Sequence, residues 1–146
     1  MTLVRLRKAQ SGIMLLEAMI GILIFSLGIL ALIGMQAIAT KTVIESRSRA
    51  EAGKLANGLL GDMWLNRVNL ANYAYVGSGS APSTLSNFIT QVNATLPNAN
   101  SYPPIISVAA PQAGLAGVTG NEVIVTIRWQ APGGALRQYQ TTAYIN

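Results

Sequence analysis

Residues 18–40, AMIGILIFSLGILALIGMQAIAT, are 23 consecutive positions without a charge, and such a run leaves a chain few places to go. Wound as an α-helix it extends roughly 35 Å, against a bilayer hydrocarbon core of about 30 Å. A helix buried in a soluble domain carries its apolar residues along one stripe, whereas this run carries them on every face. Either lipid or other apolar helices must therefore cover it.

The flanks bear on orientation. Arg5, Arg7 and Lys8 precede the run, and cations at that distance resist translocation, which keeps the N-terminus cytoplasmic. Lys41, Arg47 and Arg49 beyond the far end oppose this, although Glu45 and Glu51 are interspersed among them. A secretory signal is the competing reading, because Ala37-Ile38-Ala39 matches a small-residue cleavage pattern and would release a soluble protein beginning at Thr40. The apolar stretch is longer than a signal core, and Glu17 stands at its start.

Glu17 is the only charged residue between Lys8 and Lys41. A carboxylate at bilayer depth costs up to a few kcal/mol, so such residues carry a function and have a partner. At the interface, the positive end of the helix dipole also favours it.

The order Arg5, Arg7, Lys8, then Gly12, then Ile13-Met14-Leu15-Leu16-Glu17, then the apolar run resembles the processing signal of type IV prepilins. The resemblance implies a leader over residues 1–12, cleavage after Gly12 by the prepilin peptidase, N-methylation of Ile13 and an assembly role for Glu17 as the fifth mature residue. Ile13 replaces the usual Phe, and Met-Leu-Leu follows in place of the commoner Thr-Leu-Ile. Leu27 to Met63, with its Leu-Gly repeats and Gly-Met-Gln, is similar to minor pilins of the PilV type. The implied fold is the pilin fold, and the implied role is structural: a subunit of a pilus tip or initiation complex. The implied partners are other minor pilins, the major pilin, the prepilin peptidase/methyltransferase, an inner-membrane assembly platform and the bilayer. The implied location is the inner membrane with a periplasmic head, then the pilus at the cell surface. A minor pseudopilin of a type II secretion system shares these signals, and an uncleaved single-pass anchor bearing a ligand-binding domain is the alternative from another class. Gly28 and Gly34 are poor helix formers and are expected to loosen the helix in an assembled filament.

Composition narrows the chemistry. The 146 residues include no Cys and no His, which removes thiol nucleophiles, disulfides, His-based general bases and most transition-metal sites. With five carboxylates in all and no convergent acid–base set, we expect no enzyme, no cofactor and no metal. The absent Cys pair also distinguishes the chain from many major pilins. The formal charge of +5 does not point to nucleic acid, because three of the ten cations lie in the first eight residues and no aromatic side chains interleave the others. The Gly-Ser-Gly-Ser of residues 77–80 lacks the Gly-Lys-Ser/Thr that a phosphate loop needs.

The remainder reads as an α+β head, residues 41–146. A helix is expected over 41–71, with Ala52, Leu55, Ala56, Leu59, Leu60, Met63 and Trp64 forming one apolar stripe. Lys41 with Glu45, Glu45 with Arg49, and Arg47 with Glu51 are i,i+4 pairs on its solvated side. Continued from Ile13, the helix would be roughly 85 Å long. A loop and short helix follow over 76–96, with Ser83 or Thr84 as the cap. An antiparallel sheet spans about 105–145: a strand over Ile105–Ala109, an alternating strand over Glu122–Trp129 and a partner over Leu136–Ile145. The Ala131-Pro132-Gly133-Gly134-Ala135 turn joins the last two, and Trp64 and Trp129 are expected in the core. The fold expected is thus a long N-terminal helix, spanning in its first half (13–40) and amphipathic in its second, packed on a small C-terminal antiparallel sheet.

Overall fold

The computed structural model describes residues 11–110 and 120–146. Its elements are a helix α1 (Ser11–Leu65), a helix α2 (Ser86–Thr95) and three strands, β1 (Ile105–Ala109), β2 (Asn121–Gln130) and β3 (Leu136–Ile145), with 3₁₀ turns at Arg67–Tyr73, Ser83–Leu85 and Ala99–Ser101. The architecture is α+β: a long N-terminal helix packed on a three-stranded antiparallel sheet of order β1-β2-β3. The chain divides after Val43 into two units, and α1 contributes to both.

In the first unit α1 continues through Gly21, Gly28 and Gly34 without interruption. A lone glycine costs a helix only about 1 kcal/mol relative to alanine, a cost that three glycines spaced six or seven residues apart spread along the helix without breaking it.

In the second unit, Ala52, Ala56, Leu59, Leu60 and Met63 of α1 are buried, at the spacings of three and four that align one face of a helix. They meet Val123, Val125, Ile127 and Trp129, the alternate residues of β2, which are all at most 2% exposed. Leu85, Phe88, Val92 and Leu96, around α2, close one side of this core, with Leu70, Tyr73 and Tyr75. Small residues on α1 let the sheet approach, and a Cβ added at Gly53 would stand 3.5 Å from the Tyr139 ring.

Four local expectations are corrected. The helix ends at Leu65 rather than near 71, because Asn66 and Asn69 engage each other: the Asn69 amide donates to Asn66 Oδ1 at 3.0 Å, and Asn69 has non-helical φ of −117°. Trp64 therefore sits at the helix end 45% exposed, while Trp129 is buried as expected. Neither Ser83 nor Thr84 caps α2; the Thr84 hydroxyl instead donates to the Asn72 carbonyl at 2.7 Å, tying the loop to the preceding turn. Glu45 pairs with neither Lys41 nor Arg49 but with Arg137 of β3, the one ion pair among the described residues.

The register is unbroken, with β1 on β2 from Ile105↔Thr126 to Ala109↔Glu122, and β2 on β3 from Asn121↔Ile145 to Gln130↔Leu136. Gly133, with φ of +65°, and a hydrogen bond from the Gly134 N–H to the Ala131 carbonyl at 2.9 Å close the β2–β3 hairpin. Tyr75 forms an isolated antiparallel bridge with Ile106 on the outer edge of β1.

Candidate functional site

The segment singled out by its charges and glycine is the start of α1. Ile13 is 73% exposed, and the large apolar side chains that follow, Met14 to Val43, are all between 43% and 75% exposed. The span meets the length and composition of a membrane-crossing helix, with mean hydropathy 2.5 in its most apolar window. Its hydroxyls bond back along the helix: Ser26 Oγ to the Ile22 carbonyl at 2.7 Å, Thr40 Oγ1 to Gln36 at 2.9 Å and Thr42 Oγ1 to Ile38 at 3.0 Å. Each hydroxyl proton is thereby satisfied without water, as a lipid or helix-packed surroundings requires.

Glu17 has no such internal partner among the described residues. Among the described residues its carboxylate makes no ion pair, and it stands on the same side of α1 as Ile13, one helical turn back. At Gly12, the residue before Ile13, an added Cβ would meet no described atom within 4 Å apart from its chain neighbours and the backbone of its own helix. Glycine is the second-worst residue for a helix, and no contact among the described residues asks for it there. Arg5, Arg7 and Lys8 lie outside the described residues.

The head offers shallow grooves. One of 510 Å³ is lined by Tyr75, Ser78, Ser80 and residues 105–108; a second, also 510 Å³, by Ile44, Arg47, Ser48, Glu51 and residues 93–98; a third of 350 Å³ by Pro97, Asn98 and the β2–β3 turn. Arg47 and Glu51 share a groove wall but form no ion pair, and none of the three grooves brings two carboxylates together. On the sheet, Tyr144 donates its phenol proton to Glu122 Oε1 at 3.1 Å. That hydrogen bond, reinforced by the negative charge of Glu122, raises the Tyr144 pKa above the ordinary phenol value.

The head also carries an open strand edge that motif reading passes over. The side chains of Leu136, Gln138, Gln140, Thr142 and Tyr144 of β3 are all exposed, and among the described residues no strand lies beyond β3. The signal for it is in the sequence: ten strand-forming residues with a single charge, no lysine and no proline. The chain matches no protein-family model, no curated protein and no solved structure.

Proposed function

We propose that this chain is a structural minor pilin of a type IV pilus. It is inserted in the inner membrane with its N-terminus cytoplasmic and its head periplasmic. The prepilin peptidase cuts it after Gly12 and methylates the new amine of Ile13, and the product joins other minor pilins and the major pilin at or near the filament tip.

The observation that carries this reading is Glu17: one carboxylate, a single turn beyond Ile13, at the mouth of an exposed apolar helix and without a cation among the described residues. Cleavage after Gly12 creates an α-amino group, the missing opposite charge, on the same chain or on a neighbour. In a low-dielectric setting a formed pair is strong and a half-formed one costly, so pairing selects the axial register of neighbouring helices. The same apolar surface serves twice, against lipid before assembly and against other helices afterwards.

Replacement of Glu17 by valine tests this in the native host. The expected result is a processed, membrane-inserted protein that is depleted from sheared filaments, with loss of pili rather than of secreted enzymes when the gene is deleted. Wild-type incorporation of Glu17→Val refutes the assembly role. Loss of secretion with intact pili reassigns the chain to a type II pseudopilus.

A further inference from the structure

Ser48 is the one buried polar residue among the described residues, at 7% exposure. Its hydroxyl makes no hydrogen bond among them, although the exposed hydroxyls of Ser26, Thr40 and Thr42 on the same helix all bond to a carbonyl one turn back. Among the described side chains, Arg128 Nε alone is both sealed from solvent and unpartnered. The Ser48 hydroxyl therefore keeps an opening, and the residue lines the 510 Å³ groove between α1 and the end of α2. A buried hydroxyl left without a partner is costly, so this one calls for a group from outside the chain.

The rest of the groove supplies charge. On the α2 wall, the carbonyls of residues 93–95 accept no hydrogen bond among the described residues: Pro97 has no N–H to give Asn93, and the last turn of α2 carries no basic residue. That helix end holds partial negative charge. On the α1 wall, Arg47 precedes Glu51 by four residues, the weaker order for an ion pair along a helix, and the two do not bond. The groove thus presents one guanidinium beside a set of acceptors: a carboxylate, a hydroxyl and three carbonyls. A ligand that matches it joins an anion to a cation bearing N–H groups. In chain order the α1 wall begins with Ile44, 47% exposed, four residues after Thr40, where the uncharged run ends. Four residues of chain span at most about 14 Å, however the two units are set.

We propose that this groove binds the headgroup of a membrane phospholipid that carries a primary ammonium, a phosphoethanolamine on its glycerol. The inference rests on the membrane-anchored part of the proposed function. Arg47 takes the phosphate oxygens; Glu51, Ser48 and the α2 carbonyls take the three N–H groups of the ammonium; Ile44 lies against the glycerol and first methylenes. The volume of 510 Å³ falls within the roughly 300–1,000 Å³ of small-molecule sites. The stretch between Ala110 and Gly120 does not reach it. The groove adjoins the sheet at Gln130, whose N–H donates to the Pro97 carbonyl at 3.1 Å, and β2 puts Gln130 roughly 30 Å from Asn121. A loop tethered at both ends beside Ala109 and Asn121 extends at most about 18 Å from them.

The test places the full chain in bilayer nanodiscs of equal parts phosphatidylethanolamine, phosphatidylcholine and phosphatidylglycerol and counts the retained lipids by native mass spectrometry. Flotation with vesicles of the same composition scores anchoring separately. Phosphatidylcholine carries the same charges without an N–H on its nitrogen, so the expected result is an excess of phosphatidylethanolamine over it of about tenfold. Glu51→Gln should bring that ratio near one, Ser48→Ala should lower it, and Arg47→Gln should lower phosphatidylethanolamine retention itself, whereas Lys54→Gln, outside the groove, should change neither. A wild-type ratio near one, a preference for phosphatidylglycerol, or an excess that survives both Glu51→Gln and Arg47→Gln overturns the site. Retention of free phosphoethanolamine equal to that of the lipid at the same concentration overturns the lipid as its ligand. A chain that floats without the excess overturns the site alone; a chain that does not float overturns the anchored reading, and the site with it.

Discussion

Met63→Ala and Leu65→Ala, two positions apart on α1, should separate sharply in stability. Met63 is 0% exposed and among the largest fully buried side chains, whereas Leu65 is 89% exposed at the helix end. Truncating Met63 removes three side-chain heavy atoms from between α1 and the sheet, and methionine-to-alanine changes in packed cores cost about 2–5 kcal/mol once the cavity left behind is included. Taking about 3 kcal/mol, and about 5 °C per kcal/mol for a domain of roughly 100 residues, the head should melt about 15 °C lower. Leu65→Ala should stay within about 0.5 kcal/mol of wild type. Thermal unfolding of the full chain in detergent, followed by tryptophan fluorescence, reads this out, because Trp129 passes from 2% exposure to solvent while Trp64 begins 45% exposed. Equal shifts for the two variants, or a Met63→Ala effect below about 1 kcal/mol, would refute the orientation assigned to α1.

Three further outcomes follow from local geometry. Gly120 has φ of +132°, and a Cβ there would lie 2.8 Å from the Ile145 carbonyl carbon and oxygen, so Gly120→Ala should lower the urea midpoint by the equivalent of about 2 kcal/mol or more; a neutral result would place the β2 entry elsewhere. Glu122→Gln should bring the Tyr144 pKa back down toward 10.0, seen as an earlier phenolate absorbance rise. In the wild type the neutral phenol is favoured on folding, so its contribution is complete below the unfolded pKa and is lost as pH rises above 10.0 through the raised folded value; an unchanged titration in Glu122→Gln would remove the assigned cause. Glu45 and Arg137 form an ion pair with both side chains at least 40% exposed, so Arg137→Ala should cost no more than about 1 kcal/mol, fading with added salt; a cost of several kcal/mol, insensitive to salt, would contradict a solvated pair.

Local chemistry explains which parts of this structure are legible from its residues. Ile105–Ala109 and Leu136–Ile145 are strands at the expected bounds, and β2 extends Glu122–Trp129 by one residue at each end, because alternation and the Gly133-Gly134 turn act over short distances. The helical stripe is legible from Ala52 to Met63 and fails at Trp64, where spacing alone cannot foresee that the asparagines at 66 and 69 prefer each other to another helical turn. Sequence distance also hides Glu45's partner. The i,i+4 rule offers Lys41 and Arg49, while the fold supplies Arg137 from 92 positions away, by the difference 137 − 45. The start of α1 is legible as an exposed apolar helix with one carboxylate, whereas the partner of that carboxylate, in the proposed reading an amine freed by cleavage after Gly12, is not among the described residues.

Mass analysis of the N-terminal peptide of the native protein, purified from membranes or filaments of its own host, is the most direct test of the pilin assignment. The account predicts a chain that begins at Ile13 with a methylated α-amine. A chain that still begins at Met1, or one that begins at Thr40, would contradict it.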